Sequence, residues 1–490
     1  MRKTIRFIRK GRMVELSSVE PTAMLLDYLR DIEGCKGTKE GCREGDCGAC
    51  TVAVGRLRDH RLVYEPVNAC IQLVGQIDGC EIVTVEDLAE DDGHLHPVQQ
   101  AVVDQHASQC GFCTPGFVMS LFTLFHATKG PVTRDEVNDW IAGNLCRCTG
   151  YRPIVDAAIE ASGQPRRDRF AANSGDTAGL LSFLADSDDV FIGDDDRFIA
   201  APASVDSLAA LYERHPDATI VSGATDVGLW ITKQMRDLPK IILTGRARGF
   251  DHIADTGYEL MIGAGATYAR IEPHLRALDP DLGELLRRLG SKQVRATGTM
   301  GGNVANGSPI GDTPPLLIAL DATLELRKGK QERSIPVETY FIDYGKQDRE
   351  RGELVTGILI PKLAPNQIFR CYKVSKRFDQ DISSVMGAFR LTVGEDGSIT
   401  EARIAFGGMA ATPRRAKRAE HALTGAQLRD SRAWARAFGA LREDFAPISD
   451  HRASARYRVE TAHALLGKAL IEAAGTASSR TRINGVREVV

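Results

Sequence analysis

The sequence has no long apolar run. Nowhere in its 490 residues does a stretch approach the roughly 18 apolar positions that span a bilayer. The start, Met1-Arg2-Lys3-Thr4-Ile5-Arg6-Phe7, carries charge but no apolar core and no paired arginines before one, so neither a secretory nor a twin-arginine signal is expected. A cytoplasmic location is the corresponding expectation, with no membrane partner. An excess of either charge is also missing: 62 Lys and Arg against 65 Asp and Glu leave a formal net charge of −3. That gives no electrostatic basis for binding nucleic acid or an anionic membrane surface. There is no internal repeat, no low-complexity tract and no G-x-G-x-x-G fingerprint; at Gly263-Ala264-Gly265 the third glycine's place holds Tyr268.

Cysteine is nearly absent from most of the chain and concentrated at its start. Ten of eleven lie in the first 148 residues, and the remaining 342 hold only Cys371. A disulfide scaffold would be short and secreted, whereas clustered thiols in a long chain read as metal ligands. A length of 490 residues exceeds one core, and domains of roughly 100–200 residues imply three or four.

The opening reads as a hairpin, with alternation over Thr4–Ile8 and Met13–Leu16 about the turn Arg9-Lys10-Gly11-Arg12. A helix is expected from Thr22 as N-cap. A Gly- and Cys-rich loop, Gly34–Cys50, leads to a strand at Thr51–Val54. This order suits a β-grasp module. Four short helices are expected at Pro97–His106, Gly116–Phe125, Thr133–Ile141 and Ile154–Ala161, the third with a capping box of Thr133 and Glu136. Ser162–Arg197, rich in Asp, Arg, Ser and Gly, reads as a linker with a helical turn at Leu180–Leu184. Beyond Phe198 the pattern is mixed α/β. Strands are expected at Thr219–Val221, Ile241–Leu243, Leu260–Ile262, Val385–Val393 and Ile404–Phe406, and helices at Val205–Arg214, Leu282–Leu289 and from Arg414 onward.

Cys42, Cys47, Cys50 and Cys70 form C-x4-C-x2-C-x19-C, whose first three positions have plant-type [2Fe–2S] spacing. Soft thiolate suits an iron–sulfur cluster, and the intervening Gly and Ala let the backbone wrap so that N–H groups face sulfur. A zinc site or a set of buried free thiols is the plainer alternative. Zinc prefers paired short spacings, often with histidine, and none lies within Cys42–Cys50. A second set, Cys110, Cys113, Cys146 and Cys148, forms C-x2-C-x32-C-x1-C. Its C-x2-C half alone would also suit a redox pair or half a zinc site, while C-x-C is less usual for zinc.

Both sets, in this order, resemble the iron–sulfur half of the xanthine oxidase family of molybdenum hydroxylases. The resemblance implies a multidomain α+β chain. Residues 1–80 would form a β-grasp, ferredoxin-like domain whose [2Fe–2S] cluster is held by Cys42, Cys47, Cys50 and Cys70. Residues 81–161 would form a four-helix domain whose cluster is held by Cys110, Cys113, Cys146 and Cys148, with Gln109 and Cys148 near a pterin held by a partner. Cys35, Cys80 and Cys371 read as small buried hydrophobes.

Two later segments are glycine-rich. Ser222-Gly223-Ala224-Thr225-Asp226-Val227-Gly228 follows a strand, and exposed N–H groups in such a turn suit a pyrophosphate, although an ordinary tight turn looks the same. Gly298–Asp312 is dominated by small residues, and Asp312 offers a carboxylate suited to ribose hydroxyls. Together they resemble the vanillyl-alcohol-oxidase-type FAD fold of molybdenum hydroxylase flavin subunits. The implied contacts are Ser222, Gly223, Ala224, Thr225, Asp226, Val227, Gly228, Thr299, Gly302, Asn303, Asp312, Val355 and Lys373. Lys373–Ile382 is similar in spacing to a segment of bacterial-type xanthine dehydrogenase small subunits, although the basic run alone reads as a solvated face, and Ile404–Pro413 resembles the family's C-terminal flavoprotein domain. The implied divisions are a linker at 162–196, an FAD domain at 197–371, a C-terminal α+β flavoprotein domain at 372–475 and a tail at 476–490. The chain departs from the resemblance at Leu289, where close eukaryotic members of the family place an aromatic residue stacked on the isoalloxazine; the resemblance then implies flavin binding with different surroundings at that position.

What the resemblance implies is an electron relay. Electrons run from a molybdenum–molybdopterin cofactor on a separate large subunit to the Cys110 set, the Cys42 set, FAD and then NAD, a flavin being able to take single electrons and release a hydride. The subunits form a heterodimer, often doubled to a heterotetramer, and convert xanthine, NAD and water to urate and NADH in purine catabolism. No residue of this chain performs the hydroxylation, so none is assigned as catalytic. The alternative is the same subunit of a hydroxylase acting on an aldehyde, an N-heterocycle or carbon monoxide. A cluster-binding redox sensor would need no hydride-producing flavin.

Overall fold

Alternating and β-branched residues at the start of the chain build a sheet. In the computed structural model, which describes residues 1–90 and 92–475, strands β1 (Ile5–Arg9) and β2 (Arg12–Leu16) pair in the expected register, Arg9 opposite Arg12. Lys10 and Gly11 both take positive φ, the geometry of a two-residue hairpin turn. The helical segment starts later than the sequence suggests: α1 (Leu25–Asp27) has Met24 as N-cap and widens into Tyr28–Ile32. Met24 pairs with Leu73, so packing rather than a hydroxyl cap sets the start. Strands β3 (Thr51–Arg58), β4 (Arg61–Asn68) and β5 (Glu81–Val83) complete a five-stranded sheet of order β2-β1-β5-β3-β4.

Four helices follow: α2 (Pro97–Asp104), α3 (Thr114–Ala127), α4 (Arg134–Ile141) and α5 (Arg152–Ser162). Thr133 and Glu136 make the capping box on α4. The central helix α3 is buried along Gly116–Phe125, and Phe117, Phe122 and Phe125 fill the core of this layer.

The polar stretch expected to be a linker is folded. It carries α6 (Arg169–Ala172), capped by Asp168, and α7 (Ser174–Leu184), whose Leu181 and Leu184 pack with Ile8 against the first sheet. Strands β6 (Val190–Gly193), β7 (Phe198–Ala201), β8 (Thr219–Val221) and β9 (Lys240–Leu243) form a second sheet of order β6-β7-β9-β8, with α8 (Val205–Arg214) and α9 (Val227–Thr232) following β7 and β8. These elements, with 267–269 and 290–299, form one compact unit.

Residues 251–266, 270–289 and the chain from 300 onward form the other unit. One sheet orders Ile253–Asp255, Glu259–Gly263, Leu354–Pro361, Thr323–Lys328 and Gln331–Pro336. Another is antiparallel: Gln367–Val374, Val385–Val393, Ile399–Gly407 and Arg414–Arg415. Residues 385–391 are buried at every position because the helices Thr313–Ala319 and Ala455–Ala473 both pack on this strand. Arg414–Arg415 extends the sheet, and the helix expected there begins at Lys417. The tail expected at 476–490 lies outside the described residues.

Candidate electron-transfer and flavin site

The loop before β3 is wound around sulfur. The backbone N–H groups of Glu44, Asp46 and Cys47 donate to Cys42 Sγ at 3.4, 3.4 and 3.3 Å, and Cys42 N–H donates to Cys47 Sγ at 3.3 Å. Cys50 closes the loop at the foot of β3, and Cys70 sits in the turn Ala69–Ile71 after β4. Both are buried. Contacts from the Cys47 and Cys70 thiols, with backbone N–H groups of Glu44 and Cys47, hold the Cys42 thiol far below the ordinary thiol range. Hydrogen bonding to Cys42 and Cys50, added to burial, holds Cys70 far above it. The four sulfurs therefore adjoin one another in the order Cys47, Cys42, Cys70, Cys50. This donor set stabilises negative charge on sulfur and fits an anionic cluster.

The second set lies at the ends of α3 and α5. Cys113 is the N-cap of α3, while Cys146 and Cys148 precede α5. The Cys148 thiol donates to Cys110 Sγ at 3.5 Å, and Cys148 N–H donates to Cys146 Sγ at 3.5 Å. Burial, reinforced by Cys146, pushes the Cys113 thiol up to about 12. Burial also opposes charge on Cys146, but hydrogen bonds from Thr149 and Cys148 outweigh it and bring the thiol to about 7. Cys110 and Cys148 are exposed, and so are the neighbouring apolar side chains Phe112 and Leu145.

Polar residues that the sequence reading did not single out tie the two sets together. Leu145 N–H donates to the Cys47 carbonyl at 3.0 Å. Asn144 Nδ2 donates to the Gly48 carbonyl at 3.1 Å, while its Oδ1 accepts from Ser120 at 2.7 Å and from Gln293 Nε2 at 3.0 Å. Gln293 Nε2 also reaches Thr51 Oγ1 at 3.1 Å. Gly48, at φ +69°, has no room for a Cβ beside the Gly143 carbonyl.

The first glycine-rich loop runs from β8 into α9. Ala224 takes φ +60°, which turns successive N–H groups to one side. Among the described residues, the Gly223, Ala224 and Thr225 N–H groups donate no hydrogen bond. That is a fit to a pyrophosphate. The loop also rests on the first cysteine set. Gln76 Nε2 donates to the Ser222 carbonyl at 2.7 Å, and a Cβ on Gly228 would lie 2.8 Å from Ile71, the neighbour of Cys70. Thr299 is buried and pairs with Thr267.

In the second unit, Gly302 and Asn303 lie on the helix Met300–Asn306, and Asn303 Oδ1 accepts from Thr313 at 2.6 Å. Asp312 is buried, and both of its oxygens are engaged: Oδ2 accepts from Lys373 Nζ at 2.5 Å and Oδ1 from the Ser383 hydroxyl. Each oxygen keeps a second lone pair, so the carboxylate can still accept from a further donor. Val355 is buried in Leu354–Pro361. Arg288, which composition gave no reason to single out, donates to the Lys373 carbonyl at 2.9 Å and stacks on Phe378. Leu289 is buried beside it.

Four family models tile the chain. They are described as 2Fe-2S iron-sulfur cluster binding domain (residues 7–74), [2Fe-2S] binding domain (84–159), FAD binding domain in molybdopterin dehydrogenase (195–363) and CO dehydrogenase flavoprotein C-terminal domain (370–473). A xanthine dehydrogenase of Emericella nidulans is 31% identical over 90% of this chain and 36% of its own length. The chain belongs to the xanthine oxidase family of molybdenum hydroxylases. It carries that family's iron–sulfur and FAD electron-transfer region, with two [2Fe–2S] domains, an FAD-binding domain and a C-terminal flavoprotein domain in a multidomain α+β chain. It spans about a third of the length of the curated relatives it matches. Among solved structures, the CO dehydrogenase from Oligotropha carboxidovorans aligns at TM-score 0.54 and 27% identity, covering 58% of this chain and 99% of its own. The quinoline 2-oxidoreductase from Pseudomonas putida 86 aligns at TM-score 0.52 and 26% identity, covering 56% of this chain and 95% of its own. Among the described residues, no helix is long and apolar enough to cross a membrane.

Proposed function

We propose that the chain is the electron-transfer subunit of a xanthine dehydrogenase, passing electrons from a molybdenum cofactor on a partner subunit to FAD and on to NAD. The observation that carries the order of the relay is contact within the first unit. The Cys110/Cys113/Cys146/Cys148 set joins the Cys42/Cys47/Cys50/Cys70 set through the Leu145–Cys47 hydrogen bond, and the latter meets the Ser222–Gly228 loop where Ile71, the neighbour of Cys70, packs on Gly228.

In this reading the eight cysteines ligate the two clusters, with backbone N–H groups around Cys42 offsetting the charge of the first. Clusters and flavin together supply the conversion between single electrons and a hydride. Ser222–Gly228 presents N–H groups to the FAD pyrophosphate. Thr299, Gly302, Asn303, Asp312, Val355 and Lys373 serve as further FAD contacts, with Asp312 also holding Lys373. The exposed face with Cys110, Cys148, Phe112 and Leu145 receives the molybdenum-bearing partner in a heterodimer or its doubled form, in the cytoplasm.

A second reading is the same region of a hydroxylase acting on carbon monoxide, an N-heterocycle or an aldehyde. It is favoured by the alignment of the CO and quinoline enzymes over nearly their whole chains. The deciding experiment purifies the native complex and follows NADH formation with xanthine. NADH formation together with a co-purifying molybdenum subunit supports the first reading. Full iron, flavin and molybdenum without xanthine turnover sinks it and moves the assignment to the second.

A further inference from the structure

Away from both cysteine sets, three side chains meet in a buried pocket. His96, at the N-cap of α2, and His126, near the end of α3, each place Nε2 at 3.5 Å from Asp168 Oδ2. The His96 and Asp168 side chains are at most 1% exposed, and His126 is 12% exposed. All three facing atoms lack a close hydrogen-bond partner. Aromatic rings wall the pocket: Phe122 lies 4.5 Å from His126, with Phe125, Phe170 and Tyr64 around it.

Such a trio suggests either a metal or a proton, and the far nitrogen of His96 decides. His96 Nδ1 accepts from Val98 N–H at 3.2 Å, so in the neutral ring the proton sits on Nε2 and faces Asp168. A metal on Nε2 would move that proton to Nδ1, against Val98 N–H, and break the cap; metal-bound histidines donate from the other nitrogen. The pocket is therefore built for protons. Asp168 Oδ1 accepts from Phe170 and Ala171 N–H at 2.9 Å, leaving Oδ2 to the two imidazoles.

We propose that Asp168, His96 and His126 form an acid-released latch on the segment 168–184, which straps the two iron–sulfur modules together. Asp168 starts α6, whose Phe170 enters the core of the four-helix layer. From there α7 crosses onto the ferredoxin-like sheet, where Leu181 and Leu184 pack with Ile8. Opening the latch would free the strap from both modules.

Burial holds the His126 imidazole down at about 4, against an ordinary 6.5. Burial opposes the Asp168 charge, but the imidazoles and Ala171 N–H outweigh it and bring the carboxyl to about 2. The latched form thus refuses a proton that the opened form takes up near pH 6.5, so latch stability falls with pH from about 6.5 towards 4. Other charged or titratable groups face the pocket. Tyr64 of β4 donates to Glu81 of β5 at 2.8 Å. Arg166 lies over Phe125, and Arg169 bonds the carbonyl of Asp87, which pairs with Arg9. Glu81, raised by burial, is the other group to separate from His126.

The test is hydrogen exchange by mass spectrometry on the full-length purified chain between pH 7 and 5, corrected for intrinsic rates. Peptides within 168–184 should show an opening constant rising about tenfold per pH unit below 6.5, the slope for one proton. His126→Phe, which keeps a ring in the aromatic wall, should flatten that slope, whereas Glu81→Gln should leave it. A pH-independent opening constant in the unmodified chain overturns the latch, and so does a slope that survives His126→Phe. One equivalent of tightly bound zinc in the purified chain, lost from His126→Phe, would overturn it in favour of a metal site.

Discussion

The amide N–H of Leu145 donates to the carbonyl oxygen of Cys47 across 3.0 Å. Leu145 immediately precedes Cys146, so one hydrogen bond separates the backbone of one proposed ligand from the backbone of another. Asn144 holds this contact in place through Gly48, Ser120 and Gln293. Asn144→Ala leaves buried partners unsatisfied, which costs about 1–3 kcal/mol for each. The expected outcome is a lower melting temperature and a changed magnetic interaction between the two reduced clusters. Calorimetry and EPR check it, and an unchanged EPR spectrum would sever Asn144 from the relay.

Cysteine replacements separate ligands from bystanders. Cys42→Ser and Cys148→Ser should each halve the iron content and remove one of two EPR signals. Cys371→Ser, at a buried thiol bonded to the Asp281 carbonyl, should leave iron unchanged. Iron analysis with visible absorption reads both results.

The Lys373–Asp312 pair is buried, with side chains 3% and 7% exposed. Lys373→Met strands a carboxylate that retains only Ser383, and breaking one side of a buried pair costs about 3–5 kcal/mol. The flavin-to-protein ratio should fall together with the melting temperature. The double replacement Lys373→Met with Asp312→Leu should recover most of the stability but not the flavin. Recovery of both would mean that the pair serves only the fold.

Gly228 allows the flavin loop to touch the turn bearing Cys70. Gly228→Val puts methyl groups against Ile71, and overpacking of this kind costs about 1–3 kcal/mol. Flavin content should drop and the EPR signal of the first cluster should shift, while the second cluster's signal stays. A shift of both signals would argue against a local contact.

What the sequence revealed followed from short-range pattern. The hairpin turn, the Thr133–Glu136 box and the short C-x4-C-x2-C, C-x2-C and C-x-C runs each lie within a few residues, where local geometry dictates composition. The segment 162–184 looked like a linker because its helices bury single residues, such as Phe170 and Leu181, among polar neighbours. That leaves no clear period of 3.6. Gln293 and Asn144 meet across 149 positions, Arg288 and Lys373 across 85, and no window of sequence contains either pair. The engagement of Asp312 by Lys373 and Ser383 was hidden for the same reason.

Cys50 and Cys70 are sealed from water, whereas Cys110 and Cys148 are open to it. The relay is thus a sheathed conductor with one bare terminal. With Cys50 and Cys70 buried and Cys42 and Cys47 half-buried, charge added inside the sheath feels mainly fixed dipoles, so salt should move the energy of that site less than that of the terminal. Charge added at the terminal is screened by solvent until another surface covers it. In the proposed complex, covering the terminal would change the voltage at that end first, so docking would adjust the slope down which electrons run.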